Sequence, residues 1–287
     1  MKKIIALITL IICCFALFAC KKTQDAPGLY DAKGRMVASW EKLTDEYGLN
    51  IHKVHSGEPD KSTLYYIVTN NEELKNGVKL VIDGDTEVQI GAGAFNNCTF
   101  LESIIIPSSI TRISGCFYSC TSLTSVVIPE GITCIGIGTF IKCTALTSVG
   151  KIGSGASVEI PASVTTIEMN AFEECTSLKK VELPEGLTSI SNMCFTECTS
   201  LEDIIIPETV QYIGKASFGL CTSLTEIEIP AAVVTIDTVA FGECTSLTSI
   251  TFKGTVEQWK AMTLGENWNL NVPATEVICS DGTVPLK

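Results

Sequence analysis

Apolar and polar positions recur along this chain with a period of about 23 residues. The unit reads approximately C-T-S-L-x-x-I-x-I-P-x-x-V-T-x-I-x-x-x-A-F-x-x. Cys-Thr stands at positions 98, 120, 143, 175, 198, 221 and 244, at intervals of 22, 23, 32, 23, 23 and 23. A phenylalanine precedes each of these cysteines by three residues, from Phe95 to Phe241, and a leucine follows each by three, from Leu101 to Leu247. Prolines keep the same beat at 107, 129, 161, 184, 207 and 230.

The Leu-x-x-Ile-x-Ile stretch alternates apolar and variable positions and is rich in β-branched residues, which predicts a short strand. Proline ends it, because it cannot donate to a ladder. A second short extended piece follows, as at residues 210–213. The segment before each Cys predicts one helical or 3₁₀ turn that drops Phe into the core. One unit cannot bury its apolar side alone, whereas stacked units share a continuous core.

The ends and one interval depart from the beat. Residues 78–95 form a degenerate leading repeat with Leu80, Val81 and Ile82 as its strand. Before it, Met36, Trp40, Leu43 and Tyr47 fall at helical spacing and predict a short amphipathic capping helix. Residues 64–68 predict a flanking strand. At the other end, Trp259, Trp268 and residues 277–279 predict a cap rich in large side chains. The 32-residue interval holds nine extra residues around 150–157, rich in Gly and Ser, and predicts a small loop protruding between Val149 and Val158. That loop is either a binding element or a bulge without a role.

The unit Leu-x-x-Ile-x-Ile-Pro, with Ile-Gly and Ala-Phe-x-x-Cys, resembles the leucine-rich repeat of BspA-like bacterial surface antigens and treponemal leucine-rich repeat proteins. The resemblance covers roughly residues 80–287. It implies a strand-rich α/β chain folded as a right-handed leucine-rich repeat solenoid of about seven to eight coils, capped at both ends. The terminal segment from residue 252 onward is similar to the cap common in that family.

The N-terminus has a different pattern. Lys2 and Lys3 precede sixteen uncharged residues, 4–19, a run shorter than the roughly 20 residues a spanning helix needs. This has the form of a secretory signal. It ends at Leu17-Phe18-Ala19-Cys20, which resembles the lipobox of bacterial lipoproteins. The resemblance implies cleavage between Ala19 and Cys20 and a diacylglycerol on the Cys20 thiol, which would hold the chain at a membrane. An uncleaved anchor or an ordinary signal peptide are the alternatives. The chain then divides into a signal peptide (1–19), a lipidated tether (20–30), an N-terminal cap (31–79), a solenoid (80–252, insertion 150–157) and a C-terminal cap (253–287).

Composition narrows the chemistry. The formal charge is −12, which opposes nucleic-acid binding. Removing Lys2 and Lys3 with the signal leaves 18 basic against 32 acidic residues, or −14. Of 14 cysteines, seven share one repeat column. Cys116 and Cys194 share another with small residues, and Cys134 lies in a variable column. Buried free thiols are the expectation, with no metal and no cofactor. His52 and His55 lack a partner acid at ligand spacing, and no nucleophile elbow or P-loop is present. The expectation is a non-enzymatic protein.

The variable positions of each strand point away from the core. They gather Ile105, Val127, Glu159, Glu182, Glu202, Asp203, Ile205, Glu226 and Glu228 on one face, apolar toward its N-terminal end and acidic toward its C-terminal end. The expected function is a lipid-anchored envelope protein that presents this face to a protein ligand. The family resemblance adds adhesion to host matrix or cell-surface proteins, or coaggregation. The alternative is a periplasm-facing structural or assembly lipoprotein that binds the cell's own envelope proteins.

Overall fold

A computed structural model describes residues 26–31, 33–46, 78–82, 90–151, 154, 156 and 158–286. The predicted signal, Ala19, Cys20 and the strand expected at 64–68 lie outside the described residues.

Short strands dominate because each repeat offers only three or four alternating positions before its proline. They build one long face of nine strands. Met36–Ser39 and Gly28–Asp31 form an antiparallel pair at its N-terminal end, and Gly28–Asp31 also runs antiparallel to Val78–Val81. Parallel strands follow: Leu101–Ile105, Ser125–Val127, Val158–Ile160, Ser148–Lys151, Lys180–Glu182 and Asp203–Ile205. The face resumes as a separate sheet: Glu226–Ile229, Ser249–Phe252 and Glu276–Cys279 in parallel, then Gly282–Pro285 antiparallel. The second extended piece of each coil builds two-residue ladders on another flank. One joins Cys134–Ile135 to Thr166–Ile167, and the other joins Ser189–Ile190, Tyr212–Ile213, Thr235–Ile236 and Thr263–Leu264.

Three sequence expectations change here. The helical spacing gives way at Met36 to the strand Met36–Ser39, and helical winding starts only at Trp40 and runs through Lys42–Glu46, with Tyr47 outside the described residues. Pairing with Gly28–Asp31 outweighs the local periodicity, and Leu43 is still fully buried. Gly28–Asp31 also begins inside the stretch expected to be a tether. The insertion, expected as a loop, instead adds a strand to the face. Ser148–Lys151 lies beside the following coil's Lys180–Glu182, and Val158–Ile160 lies beside the preceding coil's Ser125–Val127. One coil therefore fills two strand positions.

The core runs along the stack in columns. Phe95, Phe117, Phe140, Phe172, Phe195, Phe218 and Phe241 are all fully buried. Successive rings stack with centroids 5.2–5.7 Å apart. Trp268 closes the column edge-on, 6.2 Å from Phe241, and Trp259 packs against both Trp268 and Phe252. Trp259 is presented by the helix Val256–Ala261, whose start is fixed by reciprocal hydrogen bonds between Thr255 and Gln258.

The cysteine column lies beside the phenylalanines. Each thiol from Cys120 to Cys244 donates to the carbonyl of the preceding coil's Phe at 3.0–3.3 Å. None of the eleven described cysteines is in a disulfide, and burial pushes the column's thiols from Cys120 to Cys244 up, to about 12 at Cys175 and Cys244. The turns between columns need two left-handed residues per coil, for example Asn170 with Glu174 and Val239 with Glu243.

Candidate protein-binding face

On the long strand face, alternation turns Leu, Ile and Val of each strand inward and leaves the intervening side chains outward. Ser125–Val127 shows the pattern: Val126 is fully buried and Val127 is 40% exposed. Ile205 is 48% exposed, whereas Ile105 is half-buried. Glu159 and Glu182 are also half-buried, in strands nearer the insertion. Glu202, Asp203, Glu226 and Glu228 are exposed.

Asp203, Ile205, Glu226 and Glu228 meet at one place. The strand ladder stops between Asp203–Ile205 and Glu226–Ile229. A cavity of about 300 Å³ lies at this split, and Ser249, Thr251 and Lys253 also line it. The Lys253 ammonium reaches Glu208 at 2.8 Å and Glu228 at 3.2 Å, and these hydrogen bonds hold it above its ordinary pKa. Glu202 lies to one side, 3.9 Å from Lys179, and Asp203 lies 3.6 Å from Lys180. Ile105, Val127 and Glu159 belong to strands on the N-terminal side of the insertion strand Ser148–Lys151. Sequence spacing did not single out Ser249 and Lys253, which sit one coil further on.

A second cavity, of about 390 Å³, lies on the other flank, where Thr166–Ile167 and Ser189–Ile190 belong to separate ladders. Glu168, Met169, Ser191, Asn192 and Tyr212 line it. The Tyr212 hydroxyl donates to Asp237 at 2.5 Å, which pushes Tyr212 up to about 12 and lowers Asp237.

The repeat columns also match a known family. The BspA type leucine-rich repeat region matches residues 78–155 and 151–271, in six copies. The chain belongs to this family. A leucine-rich repeat protein from Bacteroides ovatus is similar over 71% of this chain, at 26% identity and a TM-score of 0.52. This chain spans 55% of that structure's length. The Treponema pallidum leucine-rich repeat protein is 23% identical over 66% of this chain and 78% of its own, with a TM-score of 0.49. A leucine-rich cell surface protein from Faecalibacterium prausnitzii is 24% identical, covers 72% of this chain and 73% of its own, and has a TM-score of 0.43. A comparison with curated proteins finds no match.

The BspA-type repeat explains the strand-rich face and its parallel order. Among the described residues, no helix is long and apolar enough to cross a membrane. No group of three or more His, Cys, Asp or Glu among them is placed to hold a metal ion.

Proposed function

We propose that this BspA-type repeat protein is a non-enzymatic envelope protein, anchored by a lipid on Cys20, whose strand face binds another protein. The observation that carries the reading is the face itself. Outward positions place Val127 and Ile205 in solvent beside a field of carboxylates, on strands braced by a packed core. Large aliphatic side chains exposed on a rigid sheet mark contact surfaces. Partners outside the cell, in adhesion or coaggregation, fit the BspA-like surface antigens that this repeat resembles. A periplasmic partner is the other arrangement of the same face.

In-cell photo-cross-linking tests the reading. A photoreactive residue placed at Val127 or Ile205 should give a discrete protein adduct on intact cells. The same residue at Arg112, exposed and outside that face, should give none. Cys20→Ala should abolish incorporation of radiolabelled palmitate and release the chain from the membrane fraction. No adduct from either face position removes the binding reading. Adducts that survive protease treatment of intact cells assign the face to the periplasm.

A further inference from the structure

We infer that the split in the strand face seats an extended, basic segment of a partner protein, with a lysine or arginine side chain inserted between Asp203 and Glu226. The inference rests on the protein-binding reading above and names the chemistry of the partner.

The split is local. At the neighbouring corner of the same two coils, Phe195 N–H still donates to Ser217 O and Glu197 N–H to Gly219 O, each at 2.8 Å. The coils remain stacked while their strands part. A rung of the ladder is missing as a result. Elsewhere on the face, Thr124 N–H reaches Glu102 O, Glu202 N–H reaches Lys179 O and Thr248 N–H reaches Thr225 O, at 2.8–3.0 Å. The equivalent rung, from Thr225 to Glu202, would cross the split. Next to this rung, Asp203–Ile205 and residues 226–228 line the cavity and are not paired with each other, so an extended peptide can use their main-chain donors and acceptors.

Charge then selects the occupant. By the 23-residue register, Asp203 stands opposite Glu226, and Ile205 stands opposite Glu228. Like charges directly opposite each other destabilise strand pairing, and a cation between them relieves the repulsion. The chain already does this at one end of the split. The Lys253 ammonium lies between Glu208, which follows Asp203–Ile205, and Glu228 of the other sheet. An internal lysine thus shows which chemistry these walls accept. At the other end, Asp203 has only Lys180, with both side chains more than half exposed, and Glu226 has no ion pair among the described residues. Exposed Ile205 offers an apolar rest for the stem of a long basic side chain.

The test uses the full chain in mild detergent and a labelled peptide of alternating valine and lysine, read by fluorescence anisotropy. Binding is expected, and acetylating the lysines should abolish it. Asp203→Asn with Glu226→Gln should weaken binding about tenfold or more, as for loss of a charge-assisted contact. Glu130→Gln with Glu185→Gln removes the same charge from exposed positions outside the cavity, and should change binding less than about twofold. Circular dichroism should show both variants folded.

Equal weakening by the two double variants overturns the inference, as does undiminished binding of the acetylated peptide. Self-association of the chain that the Asp203/Glu226 variant abolishes would assign the split to a second copy, and would also overturn it. If adducts form at Val127 and Ile205 but the peptide ignores the split, this inference fails and the wider binding reading stands. If no adduct forms at either position, the wider reading fails on its own evidence.

Discussion

Val239 sits at a left-handed backbone position, φ 47°, that Gly93, Gly115 and Gly138 fill in earlier coils and Asn170 fills beyond the insertion. Glycine adopts this conformation freely and asparagine tolerates it, but a β-branched side chain crowds the backbone there. The position persists at Val239 because the backbone on both sides is tied down, with Val239 N–H donating to Glu266 O and Gly242 N–H donating to Val239 O. Val239→Asn is expected to stabilise the protein by about 1 kcal/mol, the order of the left-handed penalty for an L-residue. Urea denaturation should show a higher midpoint at unchanged slope, and Asn170→Val should lower it. The repeat columns made the buried Phe, Leu and Cys legible from sequence, because each is the same residue in coil after coil. The left-handed column was not legible, since Gly, Asn, Met, Ala and Val share no chemistry that marks a turn.

At the scale of elements, the beat of 23 predicted strands, prolines and corners where they are found, and the departures lie where the beat fails. A Gly/Ser-rich stretch reads as loop, yet Ser148–Lys151 pairs on both sides because its neighbours offer open edges. Met36–Ser39 lost its helical spacing to the same cause. Pairing partners supplied from elsewhere in the chain decide such segments, and local pattern does not contain them. Deleting residues 149–157 would restore a 23-residue interval and join Leu146-Thr-Ser to Val158-Glu-Ile-Pro. This variant is expected to fold with an undisturbed phenylalanine stack and one strand fewer, because Phe140 and Phe172 already lie 5.3 Å apart across the insertion. A cooperative thermal transition with native-like far-ultraviolet circular dichroism checks it. The split at Asp203–Ile205 carries only a weak sequence mark, Asp203 opposite Glu226 in the 23-residue register. Thr225 and Thr248 occupy the same column with the same residue, yet only Thr248 makes its rung. Outward placement of the acids on the face was legible, and their gathering around one cavity was not.

For the molecule as a whole, one cluster of buried side chains among the described residues extends from Leu29 to Cys279, so loss of one coil's packing is felt by its neighbours. Unfolding exposes the thiols, whose acidity then returns to the ordinary cysteine range near 8.5. Protein unfolded in urea should therefore recover its native circular dichroism when refolded with a reductant. Refolding in oxidised glutathione should give lower recovery and cross-linked species on non-reducing gels. Folded protein kept in the same oxidant for the same time should keep its column thiols unmodified and its circular dichroism unchanged, with any modification confined to thiols outside the column, such as half-buried Cys134. The ladder of shielded thiols thus gives the chain a chemical memory of its own assembly. An oxidising environment can mark that column only in the interval before the stack closes, and afterwards its buried thiols are as inert as the leucines beside them.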